Sequence, residues 1–151
     1  MIPVHDPNLL ALVDGTRQEL AIASRIPVYC HPSITSPSLV VLGRPFLLLG
    51  ETPGKTELTG QELRLVLKHE LMHLKRRHVL YKRAAFFVRI LYWYNPFMYL
   101  FVQYFCDYCE LDCDRMVLMH ETRRQRLTYA NLLFKLSSPS PESPSEIPPF
   151  S

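Results

Sequence analysis

His69-Glu70-Leu71-Met72-His73 decides how this chain is read. The stretch has the form H-E-x-x-H. On a helix, two histidines four residues apart share one face, with Cβ atoms roughly 5–6 Å apart. Imidazoles so spaced can hold one Zn²⁺ at ~2.0–2.1 Å each. In this pattern the glutamate after the first histidine is not a ligand. It is the base that takes a proton from zinc-activated water, which gives that part to Glu70. The pattern requires a helix, and its flanks predict one. Thr59-Gly60-Gln61-Glu62 forms a capping box, with Thr59 as N-cap and Glu62 reaching back. Leu63, Val66 and Leu67 begin an apolar stripe that runs on through Met72 and Leu74. The competing reading is a surface helix that carries two histidines by chance.

The chain has 151 residues, 48% of them hydrophobic, enough for one domain with one core. A net charge of +3 is too small to imply nucleic acid, so no nucleic-acid partner is expected. The basic residues cluster at Lys75-Arg76-Arg77, Lys82-Arg83 and Arg123-Arg124. Such runs are usually solvated helix faces; beside a hydrophobic segment they also suit anionic lipid headgroups. Cys30, Cys106, Cys109 and Cys113 are the four cysteines. The start, Met1-Ile2-Pro3-Val4-His5-Asp6, has neither a basic n-region nor an apolar run. A reducing, cytosolic setting without disulfides is therefore expected.

Residues 7–24 read as an amphipathic helix. Ile26 to Tyr29, Ser38 to Leu42 and Pro45 to Leu49 read as strands, the last two parted by Gly43-Arg44. A small antiparallel sheet should thus precede the motif helix, in an α+β fold. Ser38–Leu42 is the candidate exposed edge, where a peptide could add itself as a further strand; an interior strand is the alternative. Residues 84–106 are almost wholly apolar or aromatic and long enough to cross a bilayer, but Arg89, Asn95-Pro96 and Gln103 interrupt them. Asn95 as N-cap and Pro96 as first helical residue predict two helices meeting there. A single span would put His73 and Glu110 on opposite sides of the membrane, where they could not share a metal. The segment is then either buried core or a hairpin in the membrane interface. A straight hairpin turning at Asn95 would leave Glu110 ~10 Å out of register with His73 at 1.5 Å per residue. The first helix must therefore bend or break, near His78 to Lys82. Leu127 to Leu136 is a further short helix. Residues 1–136 form the expected domain, and 137–151, rich in Ser, Pro and Glu, a disordered tail or linker.

Catalytic zinc sites have three protein ligands and one open corner. Glu110, in Glu110-Leu111-Asp112-Cys113-Asp114, is the best candidate for the third, with Asp114 on the same face to accept the N–H of a ligating imidazole. The alternative is an acidic surface patch. A rival metal reading uses Cys106, Cys109 and Cys113 with a histidine as a closed structural zinc site, although cysteines on one helix are more often core. His5, His31, His78 and His120 have no spacing that singles them out. An oxyanion needs a donor besides the metal; Tyr129, His120 and Arg115 are the candidates.

Taken together, His69–His73, Tyr92-Trp93-Tyr94-Asn95-Pro96-Phe97 and Glu110–Asp114 resemble the antibiotic-sensor membrane metallopeptidases, the beta-lactam sensor/signal-transducer proteins of bacteria. Ser36-Pro37-Ser38, Arg44-Pro45-Phe46-Leu47-Leu48 and Tyr129-Ala130-Asn131-Leu132-Leu133 add to the likeness, which covers roughly residues 7 to 136 in order. The resemblance implies a gluzincin-type zinc endopeptidase. His69, His73 and Glu110 would bind zinc, Glu70 would be the base, and Asp114 would support a histidine. It implies a domain at the cytoplasmic face of the membrane that cleaves a repressor or itself after a signal. His78 departs from the pattern, standing where many relatives carry aspartate. The membrane helices and sensor domain of the family are not among the 151 residues, so an excised domain or a minimal soluble relative is expected. The alternatives of another class are a zinc-stabilised module that docks to a membrane or partner without turnover, and a metal-free helical module.

Overall fold

The computed structural model describes residues 1–32, 34, 36–50, 58–119 and 121–137. Asp6 caps the first helix, α1 (Pro7–Glu19), by accepting from the Asn8 N–H at 2.9 Å, and Pro7 occupies the first turn where its missing N–H costs nothing. Leu9, Val13 and Thr16, spaced for one helix face, are buried. The helix ends before residue 24 because Leu20 closes it and Ala21 turns left-handed at φ 54°.

Four strands follow the order β1-β2-β4-β3, with β1 at Ile2–Pro3, β2 at Val28–His31, β3 at Ser38–Leu42 and β4 at Arg44–Gly50. The fold is α+β, but the sheet is mixed rather than antiparallel throughout. Val28↔Leu47 to His31↔Gly50 is a parallel register, whereas β1–β2 and β3–β4 are antiparallel. The cause lies in β4. Its run Leu47-Leu48-Leu49 is buried throughout and takes an interior place. Its hairpin partner β3, joined through Gly43 at φ 83°, is pushed to the rim. Ser38–Leu42 is therefore an edge strand, as expected.

Helix α2 (Gly60–Lys75) is the centre of the molecule. Its capping box is complete: Glu62 N–H donates to Thr59 Oγ1 at 3.3 Å and Thr59 N–H donates to Glu62 Oε2 at 2.6 Å. Leu67, Leu71 and Met72 join Leu9, Val13, Val28, Leu47, Leu49 and Cys113 in one core. Leu65 and Val66 on another face join Val117, Tyr129 and Leu132 in a second. Lys68 is buried as deeply as these leucines, and its Nζ donates to Glu121 at 2.5 Å and Glu19 at 2.8 Å. A buried ammonium needs such partners.

The break expected near His78 to Lys82 falls just before it. α2 stops at Lys75, Arg77 turns left-handed at φ 55°, and α3 (His78–Leu91) starts afresh. The chain reverses at residues 92–95, where Asn95 Oδ1 accepts from the Phe97 N–H at 3.0 Å, and α4 (Pro96–Met119) returns along α2 and α3. α5 (Arg123–Ser137) closes the fold. Of the expected tail, residues 138–151 lie outside the described residues.

Among the described residues no helix is long and apolar enough to cross a membrane. Nor do residues 84–106 of the α3–α4 hairpin form core, since Ala85 and Val102 alone are buried there. Phe87, Ile90, Trp93, Tyr94, Phe97 and Tyr104 are each more than 60% exposed, a concentration of apolar surface that marks an interaction site.

Candidate metal centre

Glu110, Cys113, Asp114 and Val117 follow one another at helical spacing along α4, and Cys113 and Val117 anchor that stripe in the two cores formed with α2. The same packing carries Glu110 to the motif helix. His69 Nε2 lies 3.2 Å from His73 Nε2, and Glu110 Oε2 lies 3.3 Å from each. Three sequence-predicted side chains, from two helices, thus present their donor atoms to one point. The spacing discriminates. A tetrahedral ion with ~2.0 Å arms needs donors roughly 3.3 Å apart, and three such donors leave one corner open. The donor set, two imidazoles and a carboxylate, suits zinc.

The surroundings hold each donor in place. His69 Nδ1 lies 3.0 Å from Asp114 Oδ1 and 2.9 Å from the Tyr129 hydroxyl, which itself donates to Asp114 at 2.6 Å. The Nδ1 proton therefore faces Asp114, and Nε2 faces the centre. Burial works against a charge on His69, but Asp114 and then Glu110 outweigh it and raise its pKa to about 9. Hydrogen bonds from His69 and His73 hold the Glu110 carboxyl far below the usual carboxylate range. Its other oxygen accepts from Lys82 Nζ at 2.5 Å, so one oxygen is left for a metal. Burial disfavours a charged Asp114, yet its bonds to His69 and Tyr129 keep it ionised.

Glu70 lies beside this cluster. Its Oε2 accepts from the Leu39 N–H of β3 at 2.8 Å, and Arg83 donates to the Val41 carbonyl two residues along the same edge. Ser36, Pro37, Val66, Leu132 and Leu133 line a cleft of about 140 Å³ that opens onto His69 and Glu70.

The candidates for an oxyanion donor fare differently. The Tyr129 hydroxyl donates to Asp114 and lies 2.9 Å from His69 Nδ1, and the same side chain lines the cleft. Arg115 is exposed on α4. His120 lies outside the described residues. Of the cysteines proposed for a structural site, Cys113 alone joins a group with metal-binding spacing among the described residues, with His73 and His78. In the sequence His78 stands out only as a departure from the family pattern, and Lys82 and Asp112 carry no mark of a role at the site. Their partners lie 28 to 36 residues away along the chain or across a helix break, and no local pattern marks them.

A family model described as BlaR1 peptidase M56 matches residues 2–147. The chain belongs to that peptidase family. Regulatory protein BlaR1 of Bacillus licheniformis is 27% identical over 135 residues, covering 89% of this chain and 22% of the relative. Methicillin resistance mecR1 protein of Staphylococcus aureus is 26% identical over 80 residues, or 53% of this chain and 14% of the relative. The same figures hold for mecR1 of Staphylococcus epidermidis. This M56 chain spans about a fifth or less of the length of these relatives.

Proposed function

We propose that this chain is a zinc endopeptidase domain of gluzincin type, comprising residues 1–136 and followed by a linker. His69, His73 and Glu110 would hold the ion. Membership of a peptidase family supports the reading, and the observation that carries it is the 3.2–3.3 Å triangle of donors. Bound zinc would polarise a peptide carbonyl and lower the pKa of water. Glu70 accepts the proton and returns it to the leaving amine. Asp114 and Tyr129 position His69, and Lys82 keeps Glu110 to one ligating oxygen. An extended peptide would lie against the rim of β3, with an apolar side chain in the cleft of about 140 Å³.

By its likeness to BlaR1 and mecR1, the domain serves a membrane-associated regulatory protein involved in antibiotic resistance and cleaves a repressor or itself at the cytoplasmic face. The four free cysteines suit that compartment. The exposed aromatics of the α3–α4 hairpin rest on the bilayer surface.

A second reading, a latent zinc module without turnover, is favoured by one observation. Glu70 and Arg83 already occupy two backbone groups on the strand edge that a substrate would use. Elemental analysis with a casein and self-cleavage assay separates the two. The first reading requires about one zinc per chain, hydrolysis abolished by a chelator, and a Glu70→Ala variant that keeps zinc but does not cleave. Zinc without hydrolysis in the parent chain supports the latent module, and absence of zinc excludes both. Flotation with anionic vesicles, lost in a Trp93→Ser/Phe97→Ser variant, tests the hairpin.

A further inference from the structure

His78 enters the interior as the first residue of α3, directly after the left-handed Arg77. Its Nε2 lies 3.3 Å from Asp112 Oδ2, and Asp112 is gripped by Arg76 through Nε at 2.8 Å and Nη2 at 3.4 Å. An ionised carboxylate only accepts, so the His78 proton sits on Nε2 and its Nδ1 is a bare lone pair. That lone pair faces His73 Nδ1 at 3.3 Å and the Cys113 thiol at 3.3 Å. Two bare nitrogens cannot bond to each other. Once a metal takes His73 Nε2, which lies 3.3 Å from Glu110 and 3.2 Å from His69, the ring proton sits on Nδ1 and the His78 lone pair is its acceptor.

We infer that His78, backed by Asp112 and Arg76, is a positioning residue that fixes the tautomer and orientation of His73. This deepens the zinc-peptidase reading and rests on it. The two histidines of the motif are then supported differently. His69 leans directly on the carboxylate of Asp114. His73 leans on a neutral imidazole that relays Asp112 from one residue further away. The ring planes of His73 and His78 stand at 70° with centroids 5.4 Å apart, so the contact runs edge to edge through nitrogens rather than as a stack. Outer partners of a ligating histidine are typically worth 10–100-fold in metal affinity.

The test uses the full chain and variants His78→Phe, which keeps a flat ring without the acceptor, and His78→Asn, whose Oδ1 replaces Nδ1. Zinc affinity is measured by competition with a chromophoric chelator. Ring ¹⁵N shifts of His73 are recorded without and with zinc. The expected results are a proton on Nδ1 of His73 in the zinc-loaded parent protein, a loss of about 10–100-fold in zinc affinity in His78→Phe, and recovery of most of that loss in His78→Asn. The parent spectrum decides the matter even if His78→Phe does not fold. Zinc bound through Nδ1 of His73, or parent-like affinity in folded His78→Phe, overturns the inference. So does a thiolate-to-metal charge-transfer band in the Co²⁺ protein that Cys113→Ala abolishes, because His73, His78 and Cys113 would then be closing on an ion themselves. A parent chain that takes up no zinc yet shows the Nδ1–H tautomer, lost in His78→Phe, upholds the relay and defeats the peptidase reading.

Discussion

Zinc uptake by this chain should climb with pH, and His69 sets the slope. Its pKa of about 9 belongs to the metal-free protein, in which Asp114 and Glu110 flank the ring. At pH 7 only ~1% of the molecules then carry a neutral His69, so a proton must leave before Nε2 can bind metal. The affinity at pH 7 should lie ~100-fold below its plateau above pH 9, or roughly 2.7 kcal/mol at 1.36 kcal/mol per unit. Asp114→Asn lowers the pKa toward the ordinary 6.5 and removes this competition. It also removes the support behind His69, at a cost of about 10–100-fold in intrinsic affinity. The two effects have opposite signs at pH 7, and only the second remains at pH 9. The parent should therefore bind zinc about 10–100-fold more tightly than the variant at pH 9, with the gap narrowing toward parity at pH 7. Chelator competition at half-unit steps of pH measures both proteins. Their ratio cancels the proton lost by zinc-activated water. A ratio that stays constant from pH 7 to 9 would refute the coupling of His69 to Asp114.

The same ionisation should govern the stability of the metal-free chain. The raised pKa of His69 stabilises the fold fully below pH 6.5, and that contribution, roughly 3 kcal/mol, fades as pH rises through about 9. The depressed pKa of Glu110 acts oppositely, stabilising the fold above its ordinary 4.5 and losing that effect in acid. Metal-free protein should melt at its highest temperature between these limits and at lower temperature by pH 9, with Asp114→Asn flattening the alkaline limb in calorimetry. Glu121→Ala strips Lys68 of its shorter buried partner and should cost about 3 kcal/mol in urea unfolding, most of it recovered in Lys68→Met/Glu121→Leu. Thr59→Ala removes half of the capping box on α2 and should cost about 1 kcal/mol in the same assay.

The parts of this molecule written in local spacing were legible in the sequence. The capping box at Thr59, the shared face of His69 and His73, the α4 stripe that holds Glu110 and Asp114, and the turn at Asn95-Pro96 each depend on residues within one or two turns of each other. Chain length alone demanded a break after the motif. Its position could not be read, because Arg77 adopts a left-handed conformation that glycine or asparagine would ordinarily signal. The parallel pairing of β2 with β4 was missed because alternation within a strand carries no record of its neighbour. Lys68 counted as polar in the helix pattern, yet Glu19 and Glu121 draw it inside from positions 49 and 53 residues away. Tyr129 was noticed as a chemical group, but its position behind His69 follows from the packing of α5 against α2.

X-ray absorption at the zinc edge reads the ligand set itself. In the zinc-loaded chain two imidazole nitrogens and two oxygens should form a four-atom shell at ~2.0–2.1 Å, one oxygen from Glu110 and one from water. Glu110→Ala should replace or remove that carboxylate oxygen and leave both imidazoles in the shell. A sulfur scatterer at ~2.3 Å, or a shell unchanged by Glu110→Ala, would contradict that ligand set.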